Sequence, residues 1–174
     1  MHEKLTPIFR RRSVRAYTDA DVGDDILQAL LEAAMAAPSA VACDPWRFVV
    51  VRDSKRRADI AALLPHGKMI ADAPLGVVVC GDLRAAHDQQ LSYLLQDCSA
   101  AIENLLLAAS MLGLGACWLG VHPRDDRVQG LTTLLDLPAS VLPIAAIAVG
   151  WPAEDKPART RYAEDHVHAE TWSL

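Results

Sequence analysis

The sequence has little of what a nucleic-acid or membrane protein uses. Lys and Arg number 17 against 22 Asp and Glu, a formal net charge of −5. A chain so balanced has no general attraction for polyanions or anionic lipid, so any anion site must come from a local group of basic residues. Aromatic residues are only 5% of the chain, and none interleaves with a basic run as a base-stacking surface requires. Cys43, Cys80, Cys98 and Cys117 lie far apart. They form no C-x-x-C pair and no Cys/His run at zinc-finger spacing, and are expected to be reduced cytosolic thiols with no metal. No apolar leader region precedes Arg10, so no secretory signal is expected and the protein is assigned to the cytoplasm.

Internal repeats, low-complexity tracts and abrupt changes of composition are also missing. A chain of 174 residues with 52% hydrophobic content is therefore read as one domain, 1–174, burying roughly 70% of its unfolded surface. One long uncharged stretch, Asn104 to Val121, approaches the ~20 residues that a membrane span needs. Glu103 opens it, Gly113 and Gly115 interrupt it, and no Lys/Arg group flanks it, so a buried helix is expected and no membrane span.

The apolar pattern predicts the elements. Ile26, Leu27, Leu30, Leu31, Ala34 and Met35 recur at three and four residues after Asp24 and Asp25, a helix that Pro38 ends. Arg47 to Arg52 and Leu75 to Cys80 read as buried strands. Ser54 can cap a short helix through Leu64. From about Leu91 to Leu112 runs a helix with almost no polar face, which must be covered all round, by a second copy of the chain where its own elements do not suffice. A strand through Val121, a helix from about Arg124 to Leu135 and a strand from Ile144 to Val149 follow. The last segment, Trp151 to Leu174, has no helical period and is expected to extend over a neighbouring surface. The resulting class is α+β, an α/β-type sandwich with a central mixed sheet flanked by helices.

Four places could carry chemistry. In Arg10-Arg11-Arg12-Ser13-Val14-Arg15, an extended backbone aims Arg11, Ser13 and Arg15 to one side. Guanidinium forks suit phosphate, and a solvated patch or a nucleic-acid arm are the other readings of the same run. Ala37-Pro38-Ser39 to Pro45-Trp46 follows a helix end with small side chains that let a backbone approach something flat. Gly113-Leu-Gly115-Ala-Cys-Trp-Leu119-Gly120 is no dinucleotide fingerprint, because its glycines follow a helix and open a strand. Gly120 still lets a backbone N–H come close to a ligand. Arg159-Thr160-Arg161 gains meaning only where the fold brings it to the first basic run. His166 and His168, and Cys43 without a partnered base, are read as bland, and Trp46, Trp118 and His122 as core or pocket wall.

Together, in this order, these segments resemble the nitroreductase family of FMN-dependent oxidoreductases. Arg11-Arg12-Ser13-Val14-Arg15-Ala-Tyr17 is similar to its opening element. Ala37-Pro38-Ser39 through Pro45-Trp46-Arg-Phe48 is similar to its second, and Gln96 to Gly120 to its core helix and following strand. Ala148-Val-Gly150-Trp-Pro152 with Arg159 and Arg161 resembles its ending. The resemblance implies a homodimer with FMN at the subunit interface. Arg11, Arg12, Ser13, Arg15, Arg159 and Arg161 would hold the phosphate and ribityl chain, Pro38 and Ser39 of the other copy would line the isoalloxazine, and Leu119-Gly120 would meet its N5 edge. It further implies NADH or NADPH as donor, a small flat acceptor such as a nitroaromatic or quinone, ping-pong exchange, and no catalytic side chain, since the flavin carries the hydride. Ala42 and Asp44 replace the usual Asn and Gln. The rival readings are a flavin-binding module without turnover and a reductive dehalogenase or flavin-modifying subtype on the same scaffold.

Overall fold

The computed structural model describes residues 2–172. After a single 3-10 turn the elements are α1 (Thr6–Arg10), α2 (Asp24–Met35), β1 (Trp46–Val51), α3 (Ser54–Leu63), α4 (Met69–Asp72), β2 (Leu75–Asp82), α5 (Leu91–Met111), β3 (Gly115–Gly120), α6 (Asp125–Leu134) and β4 (Val141–Gly150). The side chain that caps α3 is that of Asp53, whose Oδ1 accepts the Arg56 N–H at 2.7 Å, so the cap lies one residue before the expected Ser54.

The strands are ordered β1-β2-β4-β3. Here the structure corrects the expected mixed sheet: every pairing between named strands is antiparallel, and the parallel component is the isolated bridge Ser13–Ala116. Helix α5 does cross over between two strands of the same direction, β2 and β3, but β4 is inserted antiparallel between them. A helical crossover in the sequence therefore does not by itself make two strands neighbours.

Alternation along the strands divides the core. Leu75, Val77 and Val79 of β2 face α2 and α5, with Ala145, Ile147 and Val149 of β4. Val78 and Cys80, with Ala146 and Ala148, face α3, α4 and α6. A register shift between Val79 and Cys80 lets β4 begin at Val141 and accommodate Pro143, which has no N–H for the ladder. Helix α5 buries Leu94, Cys98, Ala101, Ile102, Leu105, Leu106 and Ala109. Its seat is tight: a Cβ on Gly81 would lie 2.5, 2.6 and 2.8 Å from three atoms of Leu94. Gly81→Ala is accordingly expected to cost about 1–3 kcal/mol by overpacking, read as a lower urea midpoint. An unchanged midpoint would show that α5 is not seated on β2 at this point.

The opposite side of α5 stays open. Gln96 and Glu103 are exposed, and Met111, the last residue of the helix, and Leu112 after it are 68% and 45% exposed. The chain therefore does not cover this helix all round by itself.

Candidate functional site

The basic site is assembled by two segments that run past each other. Residues 11–15 leave α1 as extended chain, and the Val14 N–H donates to the Ala116 carbonyl at 3.0 Å. Val14 points inward and is 8% exposed, because Gly115 beneath it has no side chain; a Cβ there would stand 2.5 Å from Val14 Cγ1. Its neighbours Ser13 and Arg15 consequently point the other way. After β4 the tail turns back along residues 9–18. The Thr18 N–H donates to the Trp151 carbonyl at 2.9 Å, the Ala153 N–H to Ala16 at 2.9 Å and the Arg159 N–H to Phe9 at 3.1 Å, with a bridge between Tyr17 and Pro152.

This pairing carries Arg159 and Arg161 to the first basic run. Arg11, Arg12, Ser13, Arg15, Lys156, Arg159 and Arg161 line one cavity of about 310 Å³. Like charges are crowded enough to hold the Arg159 guanidinium below its usual pKa, through Arg161 first, then Arg12, then loss of solvent and Arg11. A doubly charged anion relieves that repulsion, so the residues present fit a phosphate group. Two of them are also occupied within the chain: Arg11 Nε stands 3.3 Å from Glu103 Oε1, and Arg12 donates to the Pro157 carbonyl.

Lys156 was not singled out in the sequence, since a lone lysine in a polar tail carries no signal. Its Nζ donates to the Ser13 carbonyl and to Glu154 Oε1, both at 2.7 Å, while Glu154 Oε1 also accepts the Arg15 N–H at 2.6 Å. These bonds, that from Lys156 first, hold the Glu154 carboxyl below the usual carboxylate range. The pair thus clamps the backbone on both sides of Val14.

Arg15 is shared with a second cavity, of about 240 Å³, lined also by Leu64, His66, Gly67, Cys117, Trp118, Leu119, Gly120 and Arg127. A Cβ on Gly120 would meet nothing within 4 Å, so the strand end opens directly onto this space. Trp118 forms part of its wall and is 38% exposed, whereas Trp46 is core. His66 and Arg127 are additional to the sequence reading: each is a single basic residue outside any recognisable spacing.

Pro38 and Ser39 line neither cavity. They stand at the C-terminal end of α2, where the Ser39 hydroxyl donates to Asp44 Oδ1 at 2.6 Å and accepts the Asp44 N–H at 3.0 Å. Val41, Ala42 and Asp44 are held at φ of 46°, 56° and 49°, unusual for residues with side chains. Asp44, the replacement noted in the sequence, therefore closes its own loop. The loop is tied to α5 by Asp97, 5% exposed, whose Oδ1 accepts the Ala40 N–H at 2.9 Å.

Cys80, Cys98 and Cys117 are buried and offer this site no ready thiolate, and Cys43 lines neither cavity. Burial pushes the thiols of Cys80 and Cys98 up to about 12, the nearby Asp97 adding to the effect on Cys98, and burial raises Cys117 as well. Among the described residues no three His, Cys, Asp or Glu side chains stand together as a metal site, and His168 stacks on Trp172 with centroids 4.1 Å apart. No described helix is long and apolar enough to cross a membrane.

Comparison with known proteins gives a consistent result. The model of the nitroreductase family matches residues 8–66 and 61–151. A protein from Methanothermobacter thermautotrophicus, named as a candidate NADH dehydrogenase/NAD(P)H nitroreductase, is 42% identical over 168 residues, which cover 97% of this chain and 87% of its own. A crystal structure of a protein of the same name from Parabacteroides distasonis superposes with a TM-score of 0.92 at 36% identity, covering 99% of this chain and 100% of the other. A candidate nitroreductase from Desulfovibrio desulfuricans, solved in complex with FMN, gives a TM-score of 0.84 at 34% identity and covers 99% of both chains.

Proposed function

The chain belongs to the nitroreductase family, and on that premise we propose that it works as a cytoplasmic homodimer, passing electrons from NADH or NADPH through FMN to small flat acceptors such as nitroaromatics and quinones. It is an oxidoreductase, and FMN is its cofactor. The observation that carries the reading is the cavity where residues 11–15 and 156–161 converge, joined through Arg15 to the open space at Gly120. A phosphate held at one end and a flat ring at the other is the arrangement an FMN molecule requires.

FMN, when bound, supplies the two-electron chemistry, accepting hydride from the nicotinamide and returning it to the acceptor. Arg12, Arg15, Arg159 and Arg161 hold the phosphate, with Arg11 shared between it and Glu103 and the Ser13 hydroxyl as a further contact. The Glu154–Lys156 clamp keeps Ser13 and Arg15 in place before the cofactor arrives, which lowers the ordering cost of binding. Leu119 and Gly120 present an unobstructed peptide to the ring. Pro38 and Ser39, which line neither cavity in one protomer, line the ring from the partner across the open face of α5. Both apolar clusters share one sheet, which supports treating residues 1–174 as a single FMN-binding domain. The four unbonded cysteines suit a reducing compartment.

Initial-rate kinetics and light scattering test the reading together. Double-reciprocal plots against nicotinamide at several acceptor concentrations are expected to be parallel, as one shared site visited in turn demands, and the mass in solution to be that of a dimer. Converging lines would contradict the shared site, and a monomer that retains FMN would contradict the interface.

A further inference from the structure

The cavity at Gly120 contains more positive charge than the phosphate site explains. Arg15 and Arg127 both reach it with His66, and no carboxylate lines it, in a chain whose net charge is −5. Arg127 rises from the first turn of α6, and its Nη1 donates to the Gly120 carbonyl at 2.7 Å. Its Nε is fully buried with no hydrogen-bond partner. A buried guanidinium nitrogen without an acceptor is costly, and no carboxylate of the cavity offers Arg127 a counter-charge.

The rest of the wall says what kind of anion belongs there. Leu64, Gly67, Cys117, Trp118, Leu119 and Gly120 offer flat or apolar surface rather than a second phosphate cradle. The occupant is therefore planar and carries charge only at its edge. Its charge is also conditional, because oxidised flavin is neutral, whereas uptake of two electrons and one proton leaves the ring an anion.

Resting on the FMN reading above, we propose that Arg127 is the charge partner of the reduced flavin: fixed by the Gly120 carbonyl, it stabilises the anionic reduced ring in preference to the neutral oxidised one and so raises the potential of the bound cofactor. In the balance, oxidised FMN gains two electrons and one proton, NAD(P)H supplies them as hydride and leaves as NAD(P)⁺, and no protein group is consumed. Arg127 acts on the product of that step.

The test uses the full-length protein with FMN, oxidised or reduced by dithionite without oxygen. The affinities for both forms and the midpoint potential are measured for wild type, Arg127→Gln and Arg127→Lys. Glutamine keeps a donor for the Gly120 carbonyl and removes the charge; lysine keeps the charge. Arg127→Gln is expected to bind oxidised FMN within about threefold of wild type and reduced FMN about tenfold more weakly, lowering the potential by about 30 mV for a two-electron couple. Arg127→Lys is expected to keep the wild-type ratio. If glutamine leaves the ratio unchanged, or lysine shifts it as much as glutamine does, Arg127 only tethers Gly120 and the proposal is overturned while the FMN reading stands. A wild-type protein that binds no FMN overturns both.

Discussion

Gly120→Leu is expected to keep the fold and remove the cofactor. The backbone at Gly120 lies outside the left-handed region, and a side chain there points into space with no atom within 4 Å of its first carbon. Stability should stay within about 0.5 kcal/mol, as for a surface change that breaks nothing. The same leucine occupies the space at the strand end where the flat ring must lie, so FMN affinity should fall about 100-fold, roughly 2.7 kcal/mol. Gly115 in the same strand provides the contrast. There a Cβ would collide with Val14 at 2.5 Å, so substitution at Gly115 costs stability first, and at Gly120 function first. Wild-type FMN binding by Gly120→Leu would place the ring elsewhere.

Arg15→Ala is expected to weaken FMN retention by about tenfold or more, from loss of a charge-assisted contact. Arg15 lines both the basic cavity and the cavity at Gly120, and its backbone N–H, held by Glu154, is unaffected by the substitution. The loss is therefore chemical rather than structural. Riboflavin, which lacks the phosphate, should lose less affinity than FMN, and added salt should narrow the difference between variant and wild type. An Arg15→Ala protein that stays fully loaded at low FMN concentration would show that the phosphate lies elsewhere.

The legible parts of this molecule are those whose pattern is local. The apolar spacing of Ile26 to Met35 and of Leu91 to Leu112 and the runs at Arg47 and Leu75 give α2, α5, β1 and β2 to within about two residues. Helices of four or five residues, α1 and α4, are too short for a period to show. The sequence places the start of β4 at Ile144, three residues late, because a register shift opposite Pro143, which lets the strand begin at Val141, leaves no mark in the apolar pattern. The antiparallel sheet was illegible because nothing within the crossover records that β4 would enter between β2 and β3.

The site divides along the same line. Arg11, Arg12, Ser13 and Arg15 stand together in the sequence and stay together in space, because Val14 anchors the segment over Gly115. Arg159 and Arg161 could be noticed but not joined to them, since the hydrogen bonds that bring the tail back use backbone atoms of Phe9, Ala16 and Trp151, which no side-chain pattern marks. Lys156, His66 and Arg127 are solitary in sequence and acquire a role only from the cavities that they line with residues far along the chain, Lys156 in the basic cavity and His66 and Arg127 in the one at Gly120.

The most direct test of the account is the visible absorption of the purified, FMN-loaded protein under anaerobic conditions, recorded before and after NADH, then NADPH, then a nitroaromatic or quinone. The account predicts a flavin spectrum that bleaches with at least one nicotinamide and returns on adding the acceptor. A bound flavin that neither nicotinamide bleaches would contradict it and make the protein a flavin-binding module without turnover.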